Sequence, residues 1–140
     1  MSIFHTFRIS GSALTAERLR MDTIANNLAN ANSTRTEAGG PYRRQMPVFS
    51  PRNESQPNPN DFRGAGVRVI GIYEDPTPGR LVYDPEHPDA DPEGYVHYPN
   101  VNVVTEMVDM ISATRAYEAN ITVINSARSM AMKALEIGRG

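Results

Sequence analysis

Proline divides this chain more sharply than any other residue does. All eleven prolines lie between Pro41 and Pro99, and residues 1–40 and 101–140 contain none. A proline inside a helix removes a hydrogen bond and clashes with the preceding turn, at a cost of about 3 kcal/mol or more. The two ends are therefore free to form long helices, and the middle is not. Charge follows the same division. Residues 1–45 carry six Lys/Arg against three Asp/Glu, residues 46–100 four against nine, and residues 101–140 four of each.

The first region predicts a helix over 3–31, with Ser2 as a candidate N-cap. Phe7, Leu14, Met21 and Leu28 recur every seven residues, with Ile24 and Ala25 beside them. That is a narrow apolar seam of the coiled-coil kind. Glu17, Arg18, Arg20 and Asp22 fall on the other faces, and Gly11 weakens the first half by about 1 kcal/mol relative to alanine. In the last region Met107, Met110, Thr114, Tyr117, Ile121, Ile124, Ala131 and Leu135 keep a three–four spacing, interrupted by the charge of Arg128. Asn100 and Asn102 are candidate caps, Glu106 falls in the first turn where the helix dipole favours an acid, and Gly138 is the predicted stop. At 1.5 Å per residue the two helices would be roughly 40 and 55 Å long.

Between them, residues 45–50, 67–73 and 80–83 predict short strands separated by Gly, Pro and Asn turns. Residues 84–99, rich in proline and acids, predict an irregular loop. The expected fold class is α+β, mainly α: paired long terminal helices over a small β hairpin or few-stranded sheet. Three segments follow, 1–35, 36–100 and 101–140.

Composition narrows the function. With 140 residues, 39% of them hydrophobic, and no Trp, a deep core is hard to build. The absence of cysteine removes disulfides, thiolate metal sites and Cys nucleophiles. A net charge of −2 argues against a dedicated nucleic-acid binder. The first residues show no continuous apolar stretch of the secretory type, and no apolar run approaches the roughly 20 residues of a membrane span. One seam pairing two long helices leaves their other faces bare. Ala113, Ala116, Ala119, Ala127 and Ala134 would permit close helix approach from several sides. Partner chains are the expected cover, against the alternatives of a monomeric helical hairpin with a β insertion or a coiled-coil adaptor forming a small discrete oligomer.

The stretch Ala25-Asn26-Asn27-Leu28-Ala29-Asn30-Ala31-Asn32-Ser33 is unusual for a helix. Four asparagines there cost roughly 2 kcal/mol in propensity. A helix end with Asn32 as a left-handed cap accounts for one or two of them, but not for Asn26 and Asn27 a turn earlier. Their carboxamides offer donors and acceptors to neighbouring backbone, and polar groups beside an apolar seam fix register and partner choice.

That stretch closely resembles the N-terminal signature of bacterial flagellar rod and hook proteins. The run 106–111, followed by Arg115-Ala116-Tyr117-Glu118-Ala119-Asn120, is similar to the C-terminal motif of the same family. Gly39-Gly40-Pro41-Tyr42-Arg43-Arg44, residues 84–89 and Tyr98-Pro99-Asn100-Val101-Asn102 resemble its short rod members. The resemblance implies a structural, non-catalytic subunit with no cofactor and no metal. Such subunits stack helically into the shaft that crosses the periplasm and transmits torque, with paired terminal helices forming an inner tube around the export channel. The implied partners are copies of the chain itself, other proximal and distal rod proteins, the ring-linking base protein and the flagellar type III export apparatus, without a cleaved signal peptide. Neither nucleic acid nor direct membrane insertion is implied. The residues implied in helix packing and subunit contact are Leu14, Met21, Ile24, Asn26, Asn27, Leu28, Asn30, Met107, Ile111, Arg115, Tyr117, Asn120, Ile121 and Ile124.

The residues alone raise two other chemistries. Asp84, Glu86, His87, Asp89, Asp91, Glu93 and His97 could in principle ligate a cation, but they lack any EF-hand or His-Glu-x-x-His spacing, and interleaved prolines favour a stiff solvated connection. His5, His87 or His97 could serve a hydrolytic triad, yet no serine sits in a nucleophile elbow.

Overall fold

A computed structural model describes residues 3–52 and 64–140 of the chain. Its elements run α1 (Ile3–Ala29), β1 (Gln45–Pro51), β2 (Val67–Glu74), β3 (Leu81–Tyr83), β4 (Tyr95–His97) and α2 (Val103–Arg139). The proposed Ser2 cap lies outside the described residues. Asn102 does cap α2, its side chain accepting from the Thr105 amide at 3.1 Å.

The two helices pair antiparallel. Asn27 near the end of α1 bonds Glu106 at the start of α2, and Met21 meets Thr114 two turns further along. The strip that α2 turns inward is Glu106, Met110, Ala113, Tyr117, Asn120, Ile124, Ala127 and Ala131, all buried or half-buried. It shares Met110, Tyr117, Ile124 and Ala131 with the predicted seam, and Thr114 of that seam is half-buried against Met21. Met107, Ile121, Arg128 and Leu135 of that seam are exposed, with Met107 at 55%. Two strips a fraction of a turn apart share every second position, and the larger side chains suggested the wrong one. Close approach selects the strip with small residues, because interaxial distance follows side-chain size: Ala113 and Ala127 are buried there, as is Ala16 on α1. On α1 the seam residues Phe7, Leu14, Met21 and Leu28 are half-buried, Ile24 is buried and Ala25 is exposed.

α1 has a second buried side. The Ser12 hydroxyl donates to the Ile9 carbonyl at 2.7 Å and accepts from the Val67 amide at 3.0 Å, docking the helix on the start of β2. Gly66 precedes that contact with φ +96°, and a Cβ there would lie 2.2 Å from the Ser12 oxygen. Only glycine suits both the backbone angle and the space.

β1 and β2 form an antiparallel ribbon, interrupted by a bulge where Val48 faces Gly71 and Phe49 faces Val69. β3 and β4 form a second ribbon, Leu81 opposite His97 and Tyr83 opposite Tyr95. The irregular loop predicted over 84–99 therefore contains a strand. Its only inward residue is the fully buried Val96, too short an alternation to stand out among prolines and acids. α1 ends two residues before the predicted boundary. No left-handed Asn32 caps it, since no non-glycine among the described residues has positive φ. The Asn30 carboxamide instead folds back on Asn26, donating to its backbone oxygen at 3.0 Å and to its side-chain oxygen at 3.1 Å. α2 runs through Gly138 to Arg139, with Gly140 as its C-cap.

Candidate functional site

At the closed end of the helical hairpin, the backbone elements converge on one polar node. Asn27 has no exposed surface. Its Nδ2 donates to the Gln45 carbonyl at 2.8 Å and to Glu106 Oε2 at 3.0 Å. Its Oδ1 accepts from the Gln45 amide at 3.0 Å and from the Tyr42 hydroxyl at 2.8 Å. Two donors and two acceptor sites are the whole capacity of a carboxamide, so this one side chain is saturated by partners in β1, in α2 and in the connector that carries Tyr42.

Glu106 is likewise fully buried. Its Oε1 receives the Arg44 Nε–H, and a second guanidinium nitrogen reaches Asp109 Oδ2 at 3.2 Å. A buried carboxylate is tolerable only when paired and hydrogen-bonded, and Arg44 with Asn27 supplies both. The Arg44 amide donates to Asn100 Oδ1 at 2.7 Å, and Asn100 Nδ2 donates to the carbonyls of Asp75 and Thr77, each at 2.9 Å. Start of ribbon, following turn and entry to α2 are thus tied to the same arginine. Asn26 donates to the Tyr42 hydroxyl at 3.1 Å. Burial raises the Tyr42 phenol above its ordinary range; the Asn26 bond opposes that, and the charges of Glu106 and Glu74 reinforce it.

The sequence-based site residues fall into three groups. Asn27 and Ile24 are buried, while Leu14, Met21, Leu28, Asn30, Tyr117, Asn120 and Ile124 are half-buried along or beside the helix pair. Asn26 is exposed except for its bond to Tyr42, and Met107, Ile111, Arg115 and Ile121 are exposed on α2. Sequence reasoning assigned Glu106 to the helix dipole and gave no role to Arg44. The available signal was phase: Glu106 stands one turn before Met110 on the inward strip, and an acid there needs a cation.

Two carboxylates of the 84–97 segment are engaged within the chain. Asp89 pairs with Arg35 at 2.6 Å and accepts from Thr34 at 2.8 Å. Asp91 accepts from the amides of Glu93 and Tyr95. Among the described residues no three His, Asp or Glu lie where they could hold a metal ion, and no helix is long and apolar enough to cross a membrane.

With this geometry in view, comparison with known proteins is direct. Residues 7–35 match the flagella basal body rod protein family, and residues 93–137 match the C-terminal family of flagellar basal body rod FlgEFG proteins. The chain is 51% identical to the flagellar basal-body rod protein FlgC of Borreliella burgdorferi, covering 100% of both. It is 47% identical to that of Bacillus subtilis and 44% identical to that of Escherichia coli O6:H1, in each case over 99% of this chain and 100% of the relative. The two matched segments carry α1 and α2, and the node joins them. The chain belongs to the FlgC family of flagellar basal-body rod proteins.

Proposed function

We propose that this chain is a non-catalytic rod subunit that assembles helically with copies of itself and with other rod proteins. It is a structural component of the flagellar basal body, as its family is. In the finer reading, the rod it helps build crosses the periplasm, transmits torque and encloses the export channel. The subunit reaches its place through the flagellar type III apparatus. The terminal helices, residues 1–35 and 101–140, form the inner tube, and residues 36–100 lie outside.

One observation carries this reading. The α1 pairing leaves most of the large apolar side chains of α2 uncovered: Val104 is 71% exposed and Ile137 81%, with Val108, Ile111, Met130 and Leu135 also exposed. Exposed apolar residues aligned along a helix at this density mark contact with other chains. The polar node holds the two helices in one register while their outer faces remain available.

The test is a charge on the flank of α2. Ile121→Asp would bury an unpaired carboxylate in a subunit contact, at a cost of several kcal/mol. Cells carrying it should export the protein and build no hook. Normal swimming would remove this flank as an interface. A chain that never co-purifies with basal bodies would overturn the reading as a whole.

A further inference from the structure

The outer faces of the helical hairpin are unlike. On α2, the side opposite the inward strip presents Val104, Val108 and Ile111, followed by Arg115 and Glu118, all exposed. On α1, an exposed strip flanking the helix pair carries Arg18, Asp22, Ala25 and Ala29. Among the described residues none of these four charges, Arg18, Asp22, Arg115 or Glu118, enters an ion pair.

Heights along the hairpin are fixed by two contacts, Asn27 with Glu106 and Met21 with Thr114. Interpolated between them, Ala25 lies level with Val108. Extended one step either way, Ala29 lies level with Val104 and Arg18 with Glu118, while Asp22 falls within a turn of Arg115. Bulky residues on one face thus stand at the heights of small residues on the other, and each charge stands near its opposite. A single chain does not use this match, because both faces are left exposed by its own helix pair.

We propose that the match is made between copies: a second copy of this chain stands beside the first at nearly the same height, its α1 outer face against the first copy's α2 outer face. Val104 and Val108 seat over Ala29 and Ala25, and Arg18–Glu118 and Asp22–Arg115 form across the contact. This deepens the assembly reading above and rests on it. The apolar part supplies burial. The charges set register and orientation, as flanking charges do between paired helices. Because each copy carries both faces, the contact is heterologous and repeats from copy to copy around the assembly. It also explains why α1's outer face carries alanine where α2's carries valine: two bulky faces could not approach as closely.

The chain has no cysteine, so engineered pairs report cleanly. Basal bodies should be isolated from cells carrying Ala25→Cys/Val108→Cys in place of the unaltered chain, oxidised, and separated under non-reducing conditions. A ladder of covalent multimers from the double variant, with none from either single variant, is the expected result. Its absence from basal bodies that contain the protein would overturn the proposal. So would multimers from a single variant, or adducts only to a chain of different mass. If the double variant fails to enter basal bodies, charge reversal decides. Asp22→Arg and Arg115→Asp should each reduce the number of hooks per cell several-fold, and the two together should restore it; failure to restore overturns the proposal. Absence of the unaltered chain from basal bodies would refute the assembly reading instead, so the two failures are distinguishable.

Discussion

Arg44 and Glu106, 62 residues apart in sequence, form an ion pair in which the carboxylate has no exposed surface. One end of the pair begins the β1–β2 ribbon and the other lies in the first turn of α2. Removing one partner leaves a buried charge uncompensated, which costs about 3–5 kcal/mol in such pairs. Arg44→Ala should lower the unfolding free energy of the purified chain, read from urea denaturation curves, by that order. Replacing both partners with apolar residues of similar volume, Arg44→Met with Glu106→Leu, should cost less than the single change, because no charge is stranded. Equal losses would mean that the pair is not the source of the penalty.

Asn27 and its neighbour Asn26 should separate clearly. Asn27→Ala strands the Gln45 amide and carbonyl, the Tyr42 hydroxyl and one Glu106 oxygen in a buried site. A single unsatisfied buried group costs about 1–3 kcal/mol, so a loss of about 3 kcal/mol or more is expected. Asn26 is exposed, donating to Tyr42 and accepting from Asn30 at the surface, so Asn26→Ala strands no buried group and should cost about 1 kcal/mol. Paired denaturation curves read the difference. Similar values would contradict the central place of Asn27.

Gly66→Ala should destabilise by about 1–3 kcal/mol, through a left-handed backbone angle held in a side chain and a clash with Ser12. Ser12→Ala should not rescue it, since the backbone strain persists and the Val67 amide loses its acceptor. Full rescue would show that the clash alone matters.

The turn closing β3–β4 should be acid-sensitive in a defined direction. The Asp91 carboxyl is held below its ordinary value, chiefly by the Tyr95 amide, with the Glu93 amide and His97 adding to it against desolvation. A carboxyl depressed on folding contributes stability that is present above its unfolded value, about 3.9. That contribution is lost as pH falls through the lower, folded value. Chemical shifts of the Tyr95 and Glu93 amides should therefore stay constant from neutral pH down to about 4 and move only below it. A transition centred between pH 5 and 7 would rule this out.

Much of the fold was legible because its signals are local. Proline confinement located both helices, and turn residues located three of four strands. Two things were hidden. The inward strip of α2 was chosen by Ala113 and Ala127, which weigh little in any hydrophobicity count, so Met107, Ile121 and Leu135 looked like better candidates than they are. The Arg44–Glu106 pair joins residues that no short-range pattern connects. The asparagine cluster was visible as an anomaly, and its cause is now specific. Asn27 is a saturated junction, Asn30 closes the end of α1, and Asn26 holds Tyr42 from outside.

The saturation of Asn27 has a mechanical consequence. Its four hydrogen bonds run to β1, to α2 and to Tyr42 of the connector, and Arg44 adds further bonds to α2 and to the Asn100 turn. A sideways load on the ribbon cannot be absorbed by the connector between α1 and β1, because every slip of ribbon past helix must stretch several short bonds at once. The useful property of such a joint is stiffness against shear. The wedge between helix pair and ribbon would behave as a weld, so that a displacement of the ribbon carries the helix pair with it.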